Sequence, residues 1–147
     1  MNSLREWAEN RWVREHAAGI EELRGLAAVV ERNLKDADVE DLSLDARVNL
    51  LYQACRTLCD MALRGSGFRA SPGRHHEYLL RSLTLTLGQD WQATVAILNA
   101  ARATRARNDY ESVGAGTLAN LTELREVVIT LRPAVVAFLR ERGFDVS

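Results

Sequence analysis

Arg102, Arg105, Arg107, Asn108, Asp109, Tyr110 and Glu111 form the densest group of side chains able to do chemistry. Positions 98, 101, 102, 105 and 109 continue one helical face at spacings of 3 and 4. Arg102, Arg105 and Asp109 are therefore expected on the packed side of a helix. Burying arginine is costly without a partner, and Asp109 stands four residues after Arg105. Two uses of this pattern stay open. One is a structural ion pair in a basic helix C-terminus, which suits the macrodipole. The other is a polar pocket gripping a phosphodiester, for which arginine's planar fork of donors is suited.

The imidazoles are the next candidates. His75 and His76 are adjacent, so on a helix they point roughly 100° apart and do not easily chelate one metal. Glu77 alone does not complete such a site, and neither a metal nor a cofactor is expected. At a helix N-terminus both rings, with Arg74, can meet a phosphate. The alternative is two ordinary helix-start residues, one buried and one exposed. His16 lies in a charged helix face and reads as a solvated residue. Cys55 and Cys59 share a face with Leu51, Leu58 and Ala62, and their spacing is not Cys-x-x-Cys. They read as core thiols. The sequence holds no glycine-rich phosphate loop, no His-Glu-x-x-His and no nucleophile elbow.

The elements that must position these groups are helical. Ser3 and Glu6 fit a capping box, so a helix should start at residue 4. Helical periodicity continues from Trp7 to Lys35, where Leu23, Leu26, Ala27, Val30 and Leu34 recur at 3 and 4, and Gly19 is a point of division. The acidic stretch 36–45 reads as a turn, and Ser43 can cap the next helix. That helix spans Leu44 to about Leu63, with a stripe of Val48, Leu51, Cys55, Leu58 and Ala62, and stops at Gly65-Ser66-Gly67.

The following loop carries three arginines. Ser71-Pro72 should then open a helix running to Gly88. Leu83 to Leu87 alternates with period 2 but has no evident partner strand, so helix is preferred. Asp90 is expected to cap the helix that ends in the arginine cluster. A glycine-rich bend precedes a last helix from about Thr117 to Arg142, with Pro133 expected to kink or interrupt it. The sum is an all-α fold, a five- to six-helix up-and-down antiparallel bundle over residues 1–147 as one domain.

Composition agrees with that class. The 147 residues are 47% hydrophobic and 27% charged, as in an average soluble globular domain, with only 2 prolines. The longest apolar runs, Leu26 to Val30 and Ala134 to Leu139, are too short to span a bilayer. The charged N-terminal stretch does not resemble a signal peptide, and a cytoplasmic location with no membrane partner is expected. The net charge of −1 excludes the strongly basic footprint of a DNA-coating protein. It leaves room for a local basic pocket, since the cations are 18 arginines and one lysine, Lys35.

At the arginine cluster the sequence resembles the HEPN family of small helical prokaryotic toxins, defence ribonucleases and nucleotide-binding partners. That family's hallmark is an arginine, often followed by a polar residue, with a histidine four to six residues on, at the end of a long helix. Here Arg105 is followed after four residues by Tyr110, with Arg107-Asn108 between. The order of a helix like LDARVNLLYQACRTLCDMAL, a glycine-containing loop, PGRHHEYLLRSLTLTLG and the Arg-Asn-x-Tyr segment resembles a HEPN subgroup common in high-GC bacteria. The likeness covers roughly residues 16–142.

The resemblance implies a HEPN-like bundle that pairs as a homodimer, with the two motifs facing a shared cleft. It implies Arg105, Tyr110, His75 and His76 as the reactive set, and Arg74, Arg102, Arg107, Asn108 and Asp109 as substrate contacts. Tyr110 departs from the family's histidine. Tyrosine, with an ordinary pKa near 10, is a poor base at neutral pH, though it can hydrogen-bond and stack on a base. The expected function is binding of RNA or a nucleotide, as a partner of a nucleotidyltransferase in a toxin–antitoxin or defence system. The alternatives are a metal-independent endoribonuclease, with His75 or His76 supplying the imidazole, and a structural helical dimer without ligand.

Overall fold

The computed structural model describes residues 3–73, 75–108 and 117–147, with the side chains of residues 75, 76 and 105–108 left aside. The fold is mostly helical. Helix α1 (Leu4–Glu9) begins where Ser3 Oγ accepts from the Glu6 N–H at 3.1 Å. It is short, because the chain turns at Arg11 through a left-handed φ of 64°. The helix expected to continue from Trp7 is broken here by strand β1 (Val13–Glu15).

The loop after Gly67 likewise holds a strand, β2 (Phe68–Ala70), that was expected to be irregular. The two pair antiparallel, with Val13 opposite Ala70, Arg14 opposite Arg69 and Glu15 opposite Phe68. Bonds from His16 N to Gly67 O (2.9 Å) and Ser71 N to Trp12 O (3.1 Å) extend the ladder. The fold remains mostly helical, consistent with the all-α expectation, with this one short two-stranded ladder added to it. Burial explains the strand better than propensity does, since Val13 is buried while Arg14 and Glu15 are exposed.

Helix α2 (Ile20–Ala37) starts after Gly19, at the point of division expected. Helix α3 (Leu44–Gly65) is capped by Ser43, whose Oγ accepts from the Ala46 N–H at 3.1 Å. Ten of its residues are buried, including Leu51, Tyr52, Cys55, Leu58, Cys59 and Met61. A helix buried on several sides lies at the centre of its domain, and α3 packs most extensively against α2 and α7 (Leu118–Glu141).

Cross-links give the directions. Arg64 near the end of α3 meets Glu22 near the start of α2, and Arg47 near the start of α3 meets the Ala37 carbonyl. The two helices are therefore antiparallel. Along α2 and α7, Asp38 pairs with Arg125 and Glu31 with Arg132, so these two are also antiparallel. It follows that α3 and α7 run parallel. The alternating up-and-down order expected for neighbours does not hold for this pair. Gly65 permits their close approach, because a Cβ there would overlap Leu139 Cδ2.

Helix α4 (His75–Arg81), helix α5 (Leu83–Thr86) and helix α6 (Gln92–Asn108) also pack against α3, and a 3₁₀ turn (Gln89–Trp91) packs against α5 and α6. The alternating Leu83–Leu87 stretch is helical through Thr86, as preferred. Pro72 lies in a turn and α4 is described from His75, so Pro72 does not open the helix. Asp90 sits inside the 3₁₀ turn and does not cap α6. Trp12 stacks on Tyr78 with ring centres 4.9 Å apart, and Trp7 meets Tyr78 edge-on, which fastens α1 and β1 to α4. Helix α7 is capped by Thr117 and runs through Pro133 without interruption. No described helix is long and apolar enough to cross a membrane.

Candidate functional site

Six polar side chains follow one line along α3: Asp45, Asn49, Tyr52, Arg56, Asp60 and Arg64, at helical steps of 3 and 4. Tyr52 is buried and the other five are half-buried. Asp45, Asn49, Tyr52 and Arg56 are each engaged by neighbours. The row thus runs along the central helix beneath other elements.

At its C-terminal end the row opens into a recess of about 330 Å³. Arg56, Thr57, Asp60 and Arg64 supply the α3 side, Arg69 and Ala70 of β2 the facing wall, and Pro72 and Leu79 the apolar rim. Three guanidinium groups and one carboxylate therefore share one small space. A larger cleft of about 560 Å³ between α2, α3 and α7 has mainly apolar walls, including Ala27, Leu58, Met61 and Val136, and its charged lining residues Glu31 and Arg132 pair with each other.

The arginines of the recess are not equivalent. Arg64 donates from Nε to Asp60 Oδ1 at 2.9 Å and from a terminal nitrogen to Glu22 Oε2 at 2.6 Å. His16 Nε2 lies 2.7 Å from the same Glu22 oxygen. His16, expected in solvent, is half-buried in this chain of contacts, with 23% of its side chain exposed. Partial burial disfavours ionised Glu22, but hydrogen bonds and charge attraction from Arg64 and His16 outweigh it and lower its pKa. Burial likewise works against charged Arg64, and the two carboxylates override it, raising its pKa. His16, Glu22 and Arg64 thus fix the carboxylate of Asp60 in place.

Arg69 has no such tether. Its Nε is buried without a hydrogen-bond partner, and it forms no ion pair with any described residue. Across the ladder it stands opposite Arg14. Like charges directly opposite are destabilising in a sheet, so the pair concentrates positive charge beside the recess.

Of the residues expected to act, Arg102 is half-buried on α6, with its Nε buried and unpartnered among the described residues. His75 and His76 begin α4, three and four residues after the recess-lining Pro72. Arg105, Arg107 and Asn108 belong to the last turn of α6. Arg74, Asp109 and Tyr110 lie outside the described residues, as do the side chains whose convergence the motif requires. Cys55 and Cys59 are free and buried, and burial pushes the Cys55 thiol up to about 12 and that of Cys59 higher still. Among the described residues no group of three or more His, Cys, Asp or Glu side chains could hold a metal ion.

Sequence reasoning missed Arg56, Asp60, Arg64 and Arg69. The first three were open to discovery through their spacing on α3. Arg69 was not, because its place depends on pairing with β1, more than fifty residues away. Compared with protein-family models, curated proteins and solved structures, the chain matches none.

Proposed function

We propose that this chain is a HEPN-like helical domain that binds RNA or a nucleotide through its phosphate. The observation that carries the reading is Arg69: a guanidinium without a partner among the described residues, its Nε buried, lining a recess with Arg56 and Arg64. An arginine kept unpaired beside like charge costs stability, and a bound anion offsets that cost. In the sequence Pro72 is followed closely by Arg74, His75 and His76, the residues expected to meet phosphate. Pairing as a homodimer and partnership with a nucleotidyltransferase in a toxin–antitoxin or defence system are supported by the Arg105-x4-Tyr110 pattern alone.

Calorimetric titration with AMP and with a single-stranded oligoribonucleotide tests the reading. Arg69→Ala should weaken binding at least tenfold, roughly the worth of a charge-assisted hydrogen bond, with helicity unchanged by circular dichroism. Unaltered binding in the folded variant rejects the recess as the site. Arg105→Ala examines the end of α6 separately. Cleavage of the oligoribonucleotide that disappears in Arg105→Ala would make the endoribonuclease alternative the better one.

A further inference from the structure

We infer that the recess reads a phosphorylated ribose, with Asp60 accepting a hydrogen bond from the sugar's 2′-hydroxyl. The inference rests on the phosphate-binding reading above and adds the sugar to it. A carboxylate in a phosphate site is unfavourable for the phosphate itself, since like charges repel in a partly desolvated space. Here the carboxylate is held there. Arg64 takes Oδ1 at 2.9 Å, and Arg64 is in turn anchored by Glu22 and His16. No described residue bonds to Oδ2. An ionised carboxylate only accepts hydrogen bonds, so the ligand that suits this recess carries a hydroxyl donor as well as an anion.

Size narrows the class. A volume of about 330 Å³ lies at the lower end of the range for small-molecule sites. It accommodates one nucleotide unit. Arg69 then meets the phosphate and Asp60 the sugar. The 2′-hydroxyl is the group by which a protein distinguishes ribose from deoxyribose. Thr57 does not donate to the phosphate, because its hydroxyl hydrogen already goes to the Gln53 carbonyl at 2.9 Å. A free mononucleotide and one unit of an RNA strand share this chemistry.

The test is calorimetric titration of the full chain with AMP, 2′-deoxy-AMP, inorganic phosphate and a single-stranded oligoribonucleotide. AMP should bind roughly tenfold more tightly than 2′-deoxy-AMP, the worth of one hydrogen bond to a charged acceptor. Asp60→Ala should weaken AMP to the level of 2′-deoxy-AMP and leave 2′-deoxy-AMP unchanged or tighter, because a repulsive charge has gone. Asp60→Asn, close to isosteric, provides the same comparison if the alanine variant fails to fold. Tighter binding of the oligoribonucleotide than of AMP would assign the site to RNA, and the reverse to the free nucleotide; either supports the inference when the deoxy form is weaker. Equal affinity for AMP and 2′-deoxy-AMP in the unmodified chain overturns the sugar contact while leaving the phosphate reading standing. Binding of none of the four overturns both.

Discussion

The seam between α2 and α7 and the recess between α3 and β2 treat the same residue type in opposite ways. Along the seam three arginines find acceptors within the chain: Arg125 meets Asp38 at 2.8 Å, Arg132 meets Glu31, and Arg24 donates twice to the Asp145 carbonyl. At the recess Arg64 is tethered by two carboxylates, yet Arg69 has no partner among the described residues and stands opposite Arg14. The seam holds two helices in register. The recess keeps a donor in reserve. A basic side chain is thus informative through its partner set, and only weakly through its position in a cluster of arginines.

The apolar layer beneath the seam carries the largest effect. Leu131 of α7 is fully buried, and a buried leucine cut to alanine loses transfer free energy and leaves a cavity. Leu131→Ala should lower stability by about 2–5 kcal/mol, measured by urea denaturation. AMP affinity at temperatures where the variant is folded should be unchanged. A parallel loss of affinity would mean that the two regions are coupled, and the comparison would then break.

Next comes the pH response of the tether that joins the two regions. The carboxyl of Glu22 ionises below its ordinary value in the folded chain, through Arg64 and His16. The unfolded chain therefore holds the Glu22 proton more tightly. The stabilisation is fully present above the ordinary value of about 4.3 and is lost as pH falls through the lowered one. Melting temperature should drop between about pH 5 and pH 3, and the drop should be shallower in Glu22→Gln. Identical acid profiles would show that the tether is not formed in solution.

What was legible in the sequence follows from how local each signal is. The stripe of α3, the caps at Ser3 and Ser43 and the start of α7 near Thr117 are specified by signals within a few residues, and they were read correctly. The strands were not. Three residues such as Val13–Glu15 carry no period, and their ladder forms only because Phe68–Ala70 is brought to them by α3. The parallel course of α3 and α7 is likewise a product of packing, permitted at Gly65. The polar row from Asp45 to Arg64 has the same period as the apolar one beside it. Taken alone it resembles a solvated helix face, and only the elements folded over α3 turn it into the lining of a recess.

The smallest expected effect sharpens the comparison most. Arg132 and Arg69 are both arginines near the surface, and alanine should cost little stability at either position. Arg132→Ala removes an ion pair whose two side chains are 42% and 54% exposed, and such pairs are worth about 0.2–1 kcal/mol. Arg69→Ala removes no pair. It loses the packing of the aliphatic stem and relieves the repulsion with Arg14, so stability should stay within about 0.5 kcal/mol. The ligand separates the two variants. On the proposed function AMP should raise the melting temperature by mass action, as a ligand of the folded state alone, and this rise should persist in Arg132→Ala and vanish in Arg69→Ala. Thermal denaturation with and without AMP measures all four states. A loss of more than about 1 kcal/mol in Arg69→Ala would make its guanidinium a structural group like that of Arg132, and the distinction between seam and recess would disappear.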